Sequence, residues 1–322
     1  MANVIEVDTL KKAYGTVEAV RGISFEVREG EVFGFVGPNG AGKTTTIKML
    51  STLLDPSSGR ATVAGFDVVK RRAEVRDSIG VVFQDTTLDD QLTAMENLTF
   101  HGLLYGLSSR QVKERSKPLM ELAGLGERMH SLVKTYSGGM KRRLELVRGL
   151  LHTPRVLFLD EPTVGLDPQS RAQMWGIITQ LAKDRSVAVF MTTHYMDEAE
   201  YTERMAIMDH GLIQALDTPE ALKRQIGQDI VIVESASPPT SPGLLEKAGA
   251  DVRGEAPRFE IRLSEADAKL PQLMAAFGAG VTRVEVKHPS LDTVFLELTG
   301  REIREEEPEP MAHRWMMRGR RA

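Results

Sequence analysis

Three stretches hold residue types that could act together on a phosphate ester: Gly37-Pro38-Asn39-Gly40-Ala41-Gly42-Lys43-Thr44-Thr45-Thr46, the pair Asp160-Glu161, and His194. The first fits G-x-x-x-x-G-K-[ST], a phosphate loop whose glycines let the backbone wrap until several N–H groups converge on a β-phosphate. A helix expected from about Gly42 to Leu54 aims its positive end at the same point. Lys43 can then reach the β- and γ-phosphates, and Thr44 can offer its hydroxyl to Mg2+. Asp160 and Glu161 close the apolar run Arg155-Val-Leu-Phe-Leu159 and divide the remaining labour. Asp160 suits the metal shell, and Glu161 can orient or deprotonate an attacking water. A lone His after a strand is usually structural, yet His194 follows the apolar run Val187 to Thr192 and is the third polar delivery at a strand's carboxyl end.

The elements that must position these groups are readable in outline. Glu31 to Val36 is apolar and of strand length, so strand, loop and helix follow in the order the phosphate loop requires. Before it, Val4 to Val7 alternates as a half-buried strand, Leu10 to Gly15 reads as a break into a turn, and Ile23 to Val27 is a further strand. Tyr14 either stacks on an adenine or packs on the sheet edge. Arg60 to Ala64 reads as another strand, and Ile79 to Phe83 as an apolar strand ending at Gln84.

From Asp85 to about Lys134 the pattern is helical, with Thr93 to Tyr105 and Ser109 to Ala123, the second expected to be kinked or divided at Pro118. Ser137-Gly138-Gly139-Met140 opens a helix reaching Leu151; it is either a second anion-binding corner or an ordinary N-cap turn. The basic residues beyond it, Lys141 to Arg143, read as a solvated face. Asp167-Pro168 caps the next helix, to about Ala182. Composition shifts near Gln228. A strand at Asp229 to Glu234 and a loop at Ser235 to Gly243 lead to two strand and helix pairs, ending with Leu291 to Thr299. No catalytic constellation stands there, and a small regulatory or dimerisation unit is expected. Glu305 to Glu307 and Arg314 to Arg321 form a charged tail, disordered or touching a membrane or partner.

Composition bounds the function classes. The 322 residues are 41% hydrophobic and 27% charged, enough for a sizeable core. A net charge of −4 supplies no general field for nucleic acid or an anionic membrane. With no cysteine, disulfides and cysteine-ligated zinc are excluded. No apolar run has bilayer-spanning length, and the first residues lack the layout of a signal peptide. If the protein serves a membrane, another chain is expected to cross it.

Tyr14, Gly37 to Thr44, Gln84, Tyr136-Ser-Gly-Gly-Met140, Asp160-Glu161, Gly165-Leu-Asp167 and His194, in that order, resemble the complete motif set of an ABC transporter ATPase subunit. Tyr136 to Leu144, Thr192 to Ala199 and Pro289 to Phe295 resemble more narrowly the drug-export ATPases of the daunorubicin-resistance type. The resemblance implies an α/β fold: residues 1–227 as a P-loop NTPase ABC cassette, with a RecA-like core, an antiparallel β subdomain and a helical subdomain at about 85–134. Residues 228–300 would form a small α/β accessory domain, and 301–322 a flexible tail. It implies ATP and Mg2+ as ligands. Tyr14 would stack on adenine, and Gly37, Pro38, Asn39, Gly40, Ala41, Gly42, Lys43, Thr44 and Thr45 would wrap the phosphates. Thr44, Gln84 and Asp160 would order the metal, Glu161 would be the catalytic base, and His194 the γ-phosphate contact. Ser137, Gly138, Gly139 and Met140 would bind the γ-phosphate held by a second copy, with Asp167 at the dimer interface. The family's signature most often reads Leu-Ser-Gly-Gly-Gln; Tyr136 and Met140 depart from it. A homodimer of cassettes on an integral-membrane permease is implied, cytoplasmic and peripheral on the inner face of the plasma membrane, powering efflux of a drug, lipid or other hydrophobic compound.

Overall fold

The computed structural model describes residues 2–183, 187–226 and 228–300. β1 (Asn3–Tyr14) and β2 (Val17–Arg28) form one long antiparallel hairpin. The break expected at Leu10 does not occur, because Lys11, Lys12 and Ala13 stay paired with Arg21, Val20 and Glu18, and register shifts absorb the irregularity. β3 (Val32–Val36) is followed by α1 (Lys43–Leu50), which ends short of Leu54 because Thr52 turns the chain at a φ of 64°. β4 (Ser58–Val63), β5 (Phe66–Asp67), α2 (Arg72–Ser78) and β6 (Ile79–Val82) follow.

α3 (Ala94–Leu104) and α4 (Ser109–Leu122) each open on a capping box, Thr93 with Glu96 and Ser108 with Gln111. α4 is not divided at Pro118, which lies inside a single helix. Pro118 and Glu114 are both exposed, so the carbonyl that loses its N–H partner faces water. The chain continues through α5 (Gly138–Leu150), β7 (Val156–Asp160), α6 (Pro168–Lys183), β8 (Ala188–Thr193), α7 (Met196–Ala199), β9 (Arg204–Asp209), β10 (Leu212–Asp217) and α8 (Pro219–Ile226).

Two sheets organise this part. One is antiparallel, in the order β2-β1-β4-β5; the other runs β10-β9-β3-β8-β7-β6, all parallel except β10. Every residue of β3, β7 and β8 is buried, as parallel strands covered on both faces require. Between the two sheets the rings of Phe25, Phe33, Phe35, Phe158 and Phe190 pack at centroid distances of 5.4–5.8 Å. A second core, including Leu144, Leu146, Trp175 and Ile178, joins α3 to α6 with the other face of the parallel sheet.

The remainder forms a third sheet: β11 (Asp229–Ser235), α9 (Pro242–Ala248), β12 (Asp251–Glu255), β13 (Arg258–Leu263), α10 (Ala266–Phe277) and β14 (Val281–Lys287). Its order is β12-β13-β11-β14 with every pair antiparallel, a split βαβ arrangement. α11 (Leu291–Thr299), capped by Ser290, leaves that sheet and buries Leu291, Val294 and Phe295 against Val36, Met196, Met205, Ile207 and Leu222. The last helix of the 228–300 stretch thus packs on the first part of the molecule, because its apolar residues at i, i+3 and i+4 form a stripe that this surface covers. The acidic and basic runs of 301–322 lie outside the described residues.

Candidate functional site

β3, β8, β7 and β6 are neighbours and parallel, so their carboxyl ends meet at one edge. The phosphate loop, Thr193-His194, Asp160-Glu161 and Phe83-Gln84 follow those ends directly. The loop fits only with glycine at two of its positions. A Cβ on Gly37 would lie 2.1 Å from the carbonyl oxygen of Met208, and Gly42 has a φ of 108° with the Ala19 carbonyl 2.5 Å from where a Cβ would stand. A cleft of about 780 Å3 results, walled by Asn39, Gly40, Gly42, Lys43, Thr44 and Thr45 on one side and by Gln84, Glu161 and His194 on the other.

The charged groups in it are tightly ordered. Lys43 is buried; its Nζ donates to the carbonyls of Gly37 (2.7 Å) and Pro38 (3.1 Å) and lies 3.4 Å from Glu161 Oε1. The same carboxylate oxygen is 3.2 Å from His194 Nδ1. Burial pushes the Glu161 carboxyl up, but the His194 hydrogen bond and the Lys43 charge together hold it below the ordinary carboxylate value, so it is ionised at neutral pH. Burial likewise lowers the Lys43 ammonium, with Glu161 and then Asp160 opposing. Beside this pair, Asp160 Oδ1 accepts hydrogen bonds from Thr192 Oγ1 (2.6 Å) and Thr44 Oγ1 (3.1 Å). Thr44 and Asp160 thus present two hard oxygen donors at one point, with Gln84 lining the opposite side of the cleft, which suits a small divalent cation.

Other expected residues stand apart. Tyr14 is not in the cleft wall; its ring is 49% exposed on the hairpin whose Ala19 does line the cleft, and the Lys12 ammonium is 5.3 Å from its centroid. Pro38 and Ala41 shape the loop without lining the cleft: the Ala41 N–H donates to the Pro38 carbonyl, and the Ala41 side chain is buried. Ser137 accepts a hydrogen bond from the Met140 N–H and caps α5, so the N-cap reading is met, and Ser137 and Gly138 are exposed. Gly139 is buried, and a Cβ there would strike Ser170 Oγ at 2.4 Å. Asp167 is exposed and caps α6 through Ser170, whose hydroxyl and N–H together hold its carboxyl below the ordinary value. The departures in the signature are core residues: Tyr136 is buried with its hydroxyl donating to the Arg128 carbonyl at 2.6 Å, and Met140 packs partly on the same core.

Sequence reasoning missed Arg142 and Thr192. Arg142 is buried, not solvated, and lies beneath the site with Glu145. Its signal was the Arg-x-x-Glu spacing on a helix whose neighbours Leu144, Leu146 and Val147 are apolar.

Comparison with known proteins agrees with this geometry. The "ABC transporter" family model matches residues 20–164, and the "ATP-binding protein DrrA1-3-like, C-terminal domain" model matches residues 218–299. The linearmycin resistance ATP-binding protein LnrL of Bacillus subtilis (strain 168) is 38% identical over 317 residues, covering 94% of this chain and 100% of the relative. The chain belongs to the ABC transporter ATP-binding proteins. Nod factor export ATP-binding protein I of Cupriavidus metallidurans is also 38% identical, over 95% of this chain and 100% of its own length. A bacterial ABC transporter cassette solved as a dimer superposes with a TM-score of 0.61 at 23% identity, over 66% of this chain and 98% of that one, and shows the fold alone. As a member of this family the chain binds ATP and is an ATPase coupled to transport.

Proposed function

We propose that two copies of this chain close head to tail around ATP with Mg2+ and hydrolyse it to power export of a hydrophobic compound through a separate integral-membrane permease. The observation that carries the chemistry is the convergence of Lys43, His194 and the ionised Glu161 within 3.4 Å contacts in one cleft at the sheet edge. Thr44, Asp160 and Gln84 would hold Mg2+, which supplies charge neutralisation on the phosphates when bound. Loop N–H groups and Lys43 bind the β- and γ-phosphates. Glu161 takes a proton from the attacking water as its oxygen bonds to the γ-phosphorus, and the bond to the β-phosphate oxygen breaks to release ADP. His194 orients Glu161 through Nδ1 and contacts the γ-phosphate.

The exposed Ser137-Gly138 end of α5 is open to the γ-phosphate bound by the other copy, with Gly139 and Met140 behind it and Asp167 at the contact. The exposed Tyr14 ring offers a stacking face for adenine. Export as the direction rests on the names of the relatives, linearmycin resistance and Nod factor export. A permease contact is supported by Phe100, Leu103 and Leu104, which expose 63%, 54% and 70% of their surface along α3. Among the described residues no helix is long and apolar enough to cross a membrane, so crossing falls to the permease. On this reading the chain sits peripherally on the cytoplasmic face of the plasma membrane, held there by the permease. No nucleic acid is called for. We take residues 228–300 as a small α/β accessory unit.

The test is ATP turnover by Glu161→Gln. A fall on the order of 10^2 to 10^4 in kcat with ATP still bound is expected. Unchanged turnover would remove Glu161 from the role of base.

A further inference from the structure

Arg142 is 8% exposed, and its guanidinium is spent almost wholly on main-chain carbonyls. Nε donates to Pro162 O at 2.9 Å, and one terminal nitrogen donates to Asp160 O at 3.0 Å and Glu161 O at 3.1 Å. The other terminal nitrogen donates to Phe83 O and Gln84 O and meets Glu145 Oε2 at 3.2 Å. These carbonyls belong to the residues at and just past the carboxyl ends of β6 and β7; of their side chains, Gln84 and Glu161 line the nucleotide cleft and Asp160 bonds Thr44 of its wall. Glu145 also accepts the Thr87 N–H at 2.8 Å, and Arg148 donates to the Thr87 carbonyl at 3.1 Å. The segment leaving Gln84 towards the helical part is thereby tied to the same face of α5.

We propose that Arg142, with Glu145 as its counter-ion, is a positioning residue of the nucleotide site, fixing Gln84 and the Asp160-Glu161 pair relative to one another and to α5. The inference rests on the ATPase reading above. A planar fork with five spread donors can hold this set of carbonyls from two strand ends at once, and a lysine ammonium, with three donors on one nitrogen, cannot reach them all. Because α5 begins at Ser137, any tilt of that helix against the sheet moves the Gln84 and Glu161 backbones together. Movement of the helical part on its permease thus reaches the catalytic carboxylate directly.

The full chain carrying Arg142→Gln with Glu145→Gln removes both members of the buried pair together, leaving Arg148, 3.9 Å from Glu145, without that carboxylate, and Arg142→Lys keeps the charge without the fork. For the double variant, a melting temperature near the parent's is expected, with binding of a fluorescent ATP analogue within about threefold and kcat reduced on the order of 10- to 100-fold. Arg142→Lys is expected to recover only part of kcat. Amide exchange at residues 83–88 and 160–165 should quicken in the double variant, a readout that stands whether or not the parent turns over ATP. Parent-like kcat and exchange in the double variant would reduce the pair to a structural ion pair and overturn the proposal. So would a loss of melting temperature, nucleotide binding and kcat in one proportion. Glu161→Gln in parallel keeps the two readings separable: turnover that depends on Glu161 and not on Arg142 sinks only this one.

Discussion

Glu161 is held at a φ of 49°, in the left-handed region that a glutamate rarely adopts, and its carboxylate lies between the Lys43 ammonium and the His194 ring. Its backbone N–H donates to Thr192 O at 3.1 Å, which helps to fix the strained turn. Because the folded carboxyl is depressed, its contribution to stability is fully present above the ordinary value of 4.5 and is lost only as the pH falls through the lower folded value. Burial raises this carboxyl, and the His194 hydrogen bond is the largest influence opposing it. His194→Ala therefore raises the Glu161 pKa, and the acid limb of the kcat profile should move to higher pH than in the parent. An acid limb that stays in place would show that His194 does not set the state of the base. Lys43, Thr44, Asp160, Glu161 and His194 were legible in the sequence because phosphate chemistry fixes their identities in short motifs. Arg142 was not, since a charged helix residue is solvated by default and only the fold brings carbonyls from two strands over it.

Among the elements, the long apolar strands were legible because parallel strands buried on both faces leave near-continuous hydrophobic runs. α9 and β12 were not. The first spans seven residues behind Ser-Pro-rich chain, and the second, Asp-Val-Arg-Gly-Glu, is an almost wholly exposed edge strand with little β-forming character. α11 was legible as a helix but not in its place, because an apolar stripe says that a helix is covered and not by what. Phe295 is 1% exposed, in a cluster that includes Val36, which precedes the phosphate loop, and Met196, two residues past His194. Phe295→Ala is expected to destabilise the chain by about 3–5 kcal/mol in equilibrium urea unfolding, because it opens a cavity at that junction. A loss below about 1 kcal/mol would mean that α11 does not brace the first part in solution.

On the scale of the whole molecule, one parallel sheet delivers every ionised cleft residue to one edge, while Ser137 and Asp167 stand exposed at helix starts away from the cleft wall. On the proposed reading a second copy brings its own α5 start to the first copy's phosphate loop, and twofold symmetry then makes two equivalent composite sites. The arrangement predicts complementation between two inactive chains. Lys43→Ala removes the phosphate-binding half of a site and leaves the Ser137 half intact; Ser137→Glu does the reverse by placing a negative charge against the γ-phosphate. Each variant alone has no complete site in its homodimer. A mixed dimer has one site carrying both defects and one carrying neither. With equal amounts and free exchange, half of the dimers are mixed and half of their sites are whole, so turnover should recover to about a quarter of the parent's. Steady-state hydrolysis measured as a function of the mixing ratio should peak at equal amounts. A mixture no more active than its components would mean that one whole composite site in a mixed dimer does not turn over, and the arrangement of two independent shared sites would fail.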